Sequence, residues 1–234
     1  RLKAYCMLIN DFKYFHNKSK YHKKTSGMDH PEETYRLQAD WYTYNTQDFD
    51  YKFNTWAFRG PEYDQYVGKS VNICLGDSFT VNVGESINNS WCSQLAKNFD
   101  IPTLNLGMDG AGNDAIRLVY DRACRIFDVR DTFVMYSFLH RRLDKNFNFI
   151  QENAKLRDNI SYFLRQRIAN VYEAALPSWC WSLVERAFLK RTGIFIYASK
   201  NNEKVISEER NRDGFHMSNY INKIYADYFY NQWR

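Results

Sequence analysis

No stretch of this chain stays apolar for the roughly 20 residues that a membrane-spanning helix needs, so no membrane span is expected. Proline and glycine are scarce, 4 and 10 in 234 residues, whereas tyrosine and phenylalanine number 18 and 17. Few chain breakers and many aromatic rings argue for a buried core and against disorder. The five cysteines, Cys6, Cys74, Cys92, Cys124 and Cys180, are odd in number and include no Cys-x-x-Cys pair. Free thiols are therefore expected in place of a disulfide framework or a zinc site, which favours a cytoplasmic location, with a virion as the alternative. No signal peptide is visible, although a start at Arg1 leaves a removed leader open. Strong charge of one sign is also lacking. The net charge is +5, much of it in residues 18–24, with no second basic stripe, so no nucleic-acid partner is expected. A solvated loop and a site for an anionic partner both fit that segment. His16, His22 and His30 have no metal-ligand spacing, and neither a metal nor another cofactor is implied.

What is present divides into two parts. Residues 1–65 are polar and aromatic with weak periodicity, and carry Tyr35, Trp41, Tyr42, Tyr44, Phe49, Tyr51, Phe53, Trp56 and Phe58. They read as an N-terminal extension that wraps a main domain of residues 66–234, with the aromatics as anchors. A carbohydrate-stacking platform is the alternative, and contacts to a virion or a second copy of the chain would also run through residues 1–65. From there the pattern is regular. Strands are predicted at 71–75, 103–106, 132–138 and 194–198. Helices are predicted at 86–98, 111–127 and 217–233, with a long helical region from 139 to about 191 interrupted at Pro177. Strands alternating with helices imply an α/β fold, a three-layer α/β/α sandwich around a mainly parallel sheet. Catalytic groups then gather beyond the carboxyl ends of the strands.

Two motifs fall at such places. The apolar run Val71-Asn72-Ile73-Cys74-Leu75 ends in Gly76-Asp77-Ser78, and Asp213-Gly214-Phe215-His216 precedes the last helix. Together they supply a hydroxyl, an imidazole and a carboxylate. A serine hydroxyl is a weak nucleophile that needs an adjacent base, and the base needs an orienting acceptor. Asp213 and His216, three residues apart, can face each other across one turn. The plainer alternatives are that Ser78 caps a helix and that His216 is a surface residue. Asp77 reads as structural, bonding loop N–H groups behind the serine.

Gly76-Asp77-Ser78-Phe79-Thr80 and Asp213-Gly214-Phe215-His216 resemble the first and last blocks of the SGNH (GDSL-type) hydrolase family. Val83-Gly84-Glu85, Trp91 and Leu104-Asn105-Leu106-Gly107-Met108-Asp109-Gly110 also fit. Asn54-Thr55-Trp56-Ala57-Phe58-Arg59-Gly60 is similar to an element upstream of the serine in some bacterial and phage members that carry an N-terminal extension. The resemblance covers about residues 54–234. It implies a flavodoxin-like fold, a nucleophile at Ser78, a general base at His216 and an orienting carboxylate at Asp213. It also implies an oxyanion hole formed by the backbone N–H groups of Ser78 and Gly110, with Gly107 the weaker candidate for the second. A turn after the strand accounts equally well for either glycine. The family's third block, Gly-x-Asn-Asp, is missing after the third strand. Phe133-Val134-Met135-Tyr136-Ser137-Phe138 runs instead into Leu139-His140-Arg141-Arg142. His140 takes the place of the asparagine and offers a ring N–H. Arg141 and Arg142 could meet an anionic substrate or lie in a solvated loop. Asn113-Asp114 looks like the missing block but follows the second strand and reads as the first turn of a helix.

The function implied is hydrolysis of a small-molecule or glycan O-acyl ester through an acyl-enzyme on Ser78, with acetylated carbohydrate the first guess. The alternative is a catalytically weakened module on the same fold with a binding or structural role, for instance in a phage particle. A lipase or thioesterase would require an apolar groove beside Ser78. In any of the active forms, the rate should fall as His216 gains its proton, roughly at pH 6 to 7 for an ordinary imidazole.

Overall fold

The computed structural model describes residues 51–195 and 215–234. At its centre lie β1 (Ser70–Gly76), β2 (Thr103–Gly107), β3 (Asp128–Tyr136) and β6 (Tyr172–Ala175). They form one sheet in the order β2-β1-β3-β6, and every neighbouring pair is parallel. β1 lies in the interior of this sheet, and Val71 through Gly76 are all buried. That explains why it reads as a continuous apolar run and not as an alternating one.

The side chains of β3 place the helices. Residues of a strand alternate between faces, so Phe133 and Tyr136 point to opposite sides. The Phe133 ring meets Phe229 of α6 (Asn219–Trp233) at 5.8 Å, and Phe229 meets Trp91 of α2 (Trp91–Ala96) at 4.8 Å. The Tyr136 ring meets Phe163 of α4 (Leu156–Gln166) at 5.2 Å, and α3 (Asn113–Ile126) packs beside α4. The buried stripe of α3, Ala115, Ile116, Val119, Ala123 and Ile126, has the helical period and faces β1 and β3. The result is the expected three-layer α/β/α sandwich. Among the described residues no helix is long and apolar enough to cross a membrane.

Several elements differ from the sequence expectation. The long helical region does not form. In its place stand the antiparallel pair β4 (Arg141–Leu143) and β5 (Phe149–Gln151), then α4, β6 and α5 (Leu183–Arg191). The hairpin turn is made by Asp144, whose Oδ1 accepts from the backbone N–H groups of Asn146 and Asn148. β6 is Tyr-Glu-Ala-Ala, and alanine favours helices. Pairing with β3 overrides that preference, and Ala174 and Ala175 are fully buried. The predicted helix at 86–98 is divided into a 3-10 turn, Ile87–Asn89, and α2. The Ser90 hydroxyl caps α2 by accepting from Ser93 N–H at 3.0 Å. Of the strand expected at 194–198, residues 196–198 lie outside the described residues. Ile194 lies beside β6, its carbonyl accepting from Ala175 N–H at 2.7 Å.

Residues 51–65 belong to the packed body. Trp56, Phe58 and Tyr63 enter the main core, where Trp56 stacks on Phe127 at 5.6 Å. Tyr51 and Phe53 pack with Val81 and Val83. Tyr35, Trp41, Tyr42, Tyr44 and Phe49 lie outside the described residues. Among the described residues Cys74, Cys92 and Cys124 are free thiols, and burial pushes the Cys74 thiol up.

Candidate functional site

β1 delivers its last residue to a very tight turn. A Cβ on Gly76 would lie 2.0 Å from Thr80 Oγ1, and one on Gly107 would lie 2.7 Å from Val81 N. Only glycine at both strand ends lets α1 (Ser78–Val81) sit directly on the carboxyl edge of the sheet. Asp77 organises this helix. Its Oδ1 accepts from Phe79 N–H at 3.1 Å, and its backbone carbonyl accepts from Thr80 and Val81. Its Oδ2 accepts from Ser137 Oγ at 2.6 Å and from Arg141 Nη1 at 2.9 Å. Of the first-turn N–H groups, that of Ser78 alone donates to no acceptor among the described residues.

His216 arrives from the far end of the chain. Its Nε2 lies 2.8 Å from Ser78 Oγ, a hydrogen-bond distance between residues 138 positions apart. Both side chains are buried. The imidazole packs against Phe79 at 4.6 Å and Phe215 at 5.2 Å between ring centres. The Phe215 carbonyl accepts from the Trp179 indole at 2.9 Å, which fixes the approach to His216. A neutral imidazole at this distance can take the serine proton through Nε2, the arrangement required of an activated nucleophile. Asp213, the expected orienting carboxylate, lies outside the described residues.

No family model matches the sequence, and no curated protein matches it. Solved structures do. Its structural neighbours are lipolytic proteins and esterases of the G-D-S-L type. One is a candidate lipolytic protein of the G-D-S-L family from Desulfitobacterium hafniense, with 14% identity and a TM-score of 0.43 over 68% of this chain and 96% of that one. A second is the psychrotrophic esterase EstA from Pseudoalteromonas sp., in a structure inhibited by monoethylphosphonate, with 13% identity and a TM-score of 0.43 over 70% of this chain and 97% of that one. A third is a candidate acylhydrolase from Bacteroides fragilis, with 13% identity and a TM-score of 0.38 over 76% of this chain and 92% of that one.

The candidate oxyanion donors separate clearly. Gly107 N–H donates to Asn105 Oδ1 at 3.0 Å, so the weaker candidate is already occupied. Gly110 has φ +82° at the third position of a turn closed by Ala111 N–H to Met108 carbonyl at 3.1 Å. Its own N–H is not used in that turn. His140 stands at the start of the hairpin, half-buried, with its ring 5.5 Å from Phe138. Burial lowers its pKa, and neighbouring Arg141 lowers it further, so it is neutral near pH 7 and retains one ring N–H.

The two arginines are held by the protein, and neither lies in a solvated loop. Arg141 pairs with Asp77 and lies 4.5 Å from the Phe138 ring centre. Arg142 is buried. Its Nη2 bonds Asn159 Oδ1 at 2.8 Å, and its guanidinium covers the Tyr162 ring at 3.8 Å. It lines a separate cavity of about 360 Å³ with Glu152, Asp158 and Arg165. Asn113 does begin α3, and its amide clamps the backbone of Ser137, receiving Ser137 N–H at 2.8 Å and donating to its carbonyl at 3.0 Å.

Sequence reasoning missed three supporting residues. The Arg59 guanidinium donates to the carbonyls of Val81, Asn82 and Glu85, immediately behind α1. Asn82 caps α1 in the left-handed conformation, and Asn222 reaches it from α6. The Asn54–Gly60 segment carried a signal only through resemblance. An asparagine in the first turns of a helix carries none.

Proposed function

We propose that the protein is a serine ester hydrolase. The observation that carries this reading is the 2.8 Å contact between Ser78 Oγ and His216 Nε2 at the carboxyl edge of a parallel sheet. Ser78 Oγ attacks the ester carbonyl carbon while its proton passes to His216 Nε2. The resulting oxyanion is met by Ser78 N–H, Gly110 N–H and the His140 ring N–H. The intermediate collapses, the alkoxide leaves with the proton from His216, and the acyl group remains on Ser78. Water then attacks the acyl-enzyme by the same path and regenerates the serine. Asp213, three residues before His216, is the proposed orienting carboxylate.

The rings of Phe79, Phe215, Phe138 and Trp181 form a continuous series beside the pair, with centre separations of 5.5, 6.5 and 5.6 Å. Phe79 and Trp181 are buried in the core, and the partly exposed Phe138 and Phe215 rings offer apolar surface beside the pair, which favours an ester with an apolar acyl or alcohol group.

A fluorophosphonate probe tests the reaction class. It is expected to label the wild-type chain at Ser78, identified by peptide mass, and to leave Ser78→Ala unlabelled. A folded wild-type chain that resists the probe would overturn the reading. The role of His140 has its own test. His140→Ala is expected to lower kcat by about 10²- to 10³-fold with little change in KM, the loss that follows removal of one oxyanion donor. His140→Asn, which restores an N–H donor, should recover part of that loss. Equal rates in all three proteins would remove His140 from the oxyanion site.

A further inference from the structure

Ser78 and His216 come from elements far apart in the chain, and a proton-transfer contact tolerates little error in their relative position. Holding reacting groups in place is a large part of catalysis, and a misplacement of about 1 Å can cost about 10²-fold in rate. α1 is four residues long, so any tilt at its C-terminal end is passed directly to Ser78. Asn82 caps that end with φ +64°, one helical turn after the serine. Asn222 sits in the first turns of α6, six residues after His216, and is fully buried.

The orientations of the two amides follow from their partners. Trp91 N–H can only donate, and it lies 2.8 Å from Asn222 Oδ1. This turns Asn222 Nδ2 toward three acceptors: Asn82 Oδ1 at 2.9 Å, the Ser218 carbonyl at 3.0 Å and the Met217 carbonyl at 3.3 Å. Asn82 Nδ2 donates to the Ser86 carbonyl at 2.7 Å, which leaves Asn82 Oδ1 to accept from Asn222. On its other side the Asn82 carbonyl accepts from Arg59 Nη1 at 2.6 Å. One amide thus ties the cap of the nucleophile helix to the carbonyl of the residue that follows His216.

We infer that Asn222 is a positioning residue that sets the Ser78–His216 contact by joining the end of α1 to the segment carrying the base. The inference rests on the reading of Ser78 as nucleophile and His216 as its base. Asn222 touches neither reacting group. It acts through Asn82 on one side and Met217 on the other, with Arg59 anchoring the Asn82 end.

The test uses the rate of fluorophosphonate labelling in the full chain, with thermal melts to report folding. Asn222→Ala removes the link from the α6 side. Asn82→Gly removes it from the α1 side, since glycine accepts the left-handed backbone without strain. Each is expected to slow labelling by roughly 10- to 100-fold, and the two together no more than Asn222→Ala alone, because they break the same link. In a His216→Ala background neither should change the residual rate, since no base remains to be misplaced. A purely structural role would lower the melting temperature while folded molecules react at the wild-type rate, and that result overturns the inference. An equal slowing with and without His216 overturns it as well. Failure of the wild-type chain to label at all is a different result, which removes the hydrolase reading and the inference with it.

Discussion

Replacing His216 with alanine is expected to lower kcat for an activated ester on the order of 10⁶-fold, and Ser78→Ala should reach the same floor. The two side chains act as one unit, because a serine hydroxyl keeps its proton near neutral pH unless a base lies within hydrogen-bond reach. The 2.8 Å contact is that reach. Losing either member removes the same transition-state interaction, so the double variant should lose little more than either single one. A residual acceleration of roughly 10³- to 10⁴-fold over water should persist in all three, from the backbone donors and from substrate binding. KM should change little, because neither group is asked to bind the ground state. The pH dependence has a definite sign. His216 must be neutral to accept the proton, so the wild-type rate falls as pH drops through its protonation. The residual rate of His216→Ala should lack that acid limb. Steady-state kinetics on p-nitrophenyl acetate would decide the matter, and a His216→Ala enzyme within tenfold of wild type would exclude His216 as the base.

The layers of the fold and the Gly-Asp-Ser turn were legible in the sequence for simple physical reasons. Val71 through Leu75 read as a buried strand because β1 is covered on both faces, and a strand that ends in Gly-Asp-Ser before a helix marks the edge where parallel sheets place their chemistry. β6 was not legible. Ala174 and Ala175 have the local preference of a helix, and only pairing with β3 and the closeness of α6, whose Tyr225 hydroxyl donates to the Ala175 carbonyl at 2.9 Å, make them a strand. The sequence predicts one helix at 86–98, yet the hydroxyls of Ser86 and Ser90 each cap a new start. For Arg141 the sequence leaves a substrate contact and a solvated loop both open, because it gives no sign of a partner. Its carboxylate partner lies 64 residues away, beside Ser78. The same holds for Asn82 and Asn222, whose polar contact joins positions 140 residues apart. Local pattern locates the candidate groups, Ser78 and His216. It says nothing of the distant groups that hold them in place.

Asp77 gives the largest expected effect on stability. Its carboxylate is fully buried and holds three donors: Phe79 N–H in the first turn of α1, the Ser137 hydroxyl at the end of β3, and the Arg141 guanidinium. Asp77→Ala would leave a helix N–H and a hydroxyl without acceptors, and a guanidinium with only 18% of its side-chain surface exposed without its counter-charge. Removing one partner of such a pair costs about 3–5 kcal/mol. In a chain of this size that corresponds to a fall of roughly 10 °C in Tm. The arginine side of the pair separates two causes. If the orphaned charge dominates, Asp77→Ala/Arg141→Ala should be less destabilised than the sum of the single variants, because the cation leaves with the anion. If the lost cap and the lost Ser137 bond dominate, the single effects should add. The first outcome is expected, since solvation recovers only part of the energy of a guanidinium so little exposed, whereas a helix cap is typically worth only about 1 kcal/mol. Thermal melts of the four proteins measure both quantities, and an Asp77→Ala chain melting within about 2 °C of wild type, well under the shift one such pair implies, would show that the carboxylate does not hold the Ser78 turn to β3.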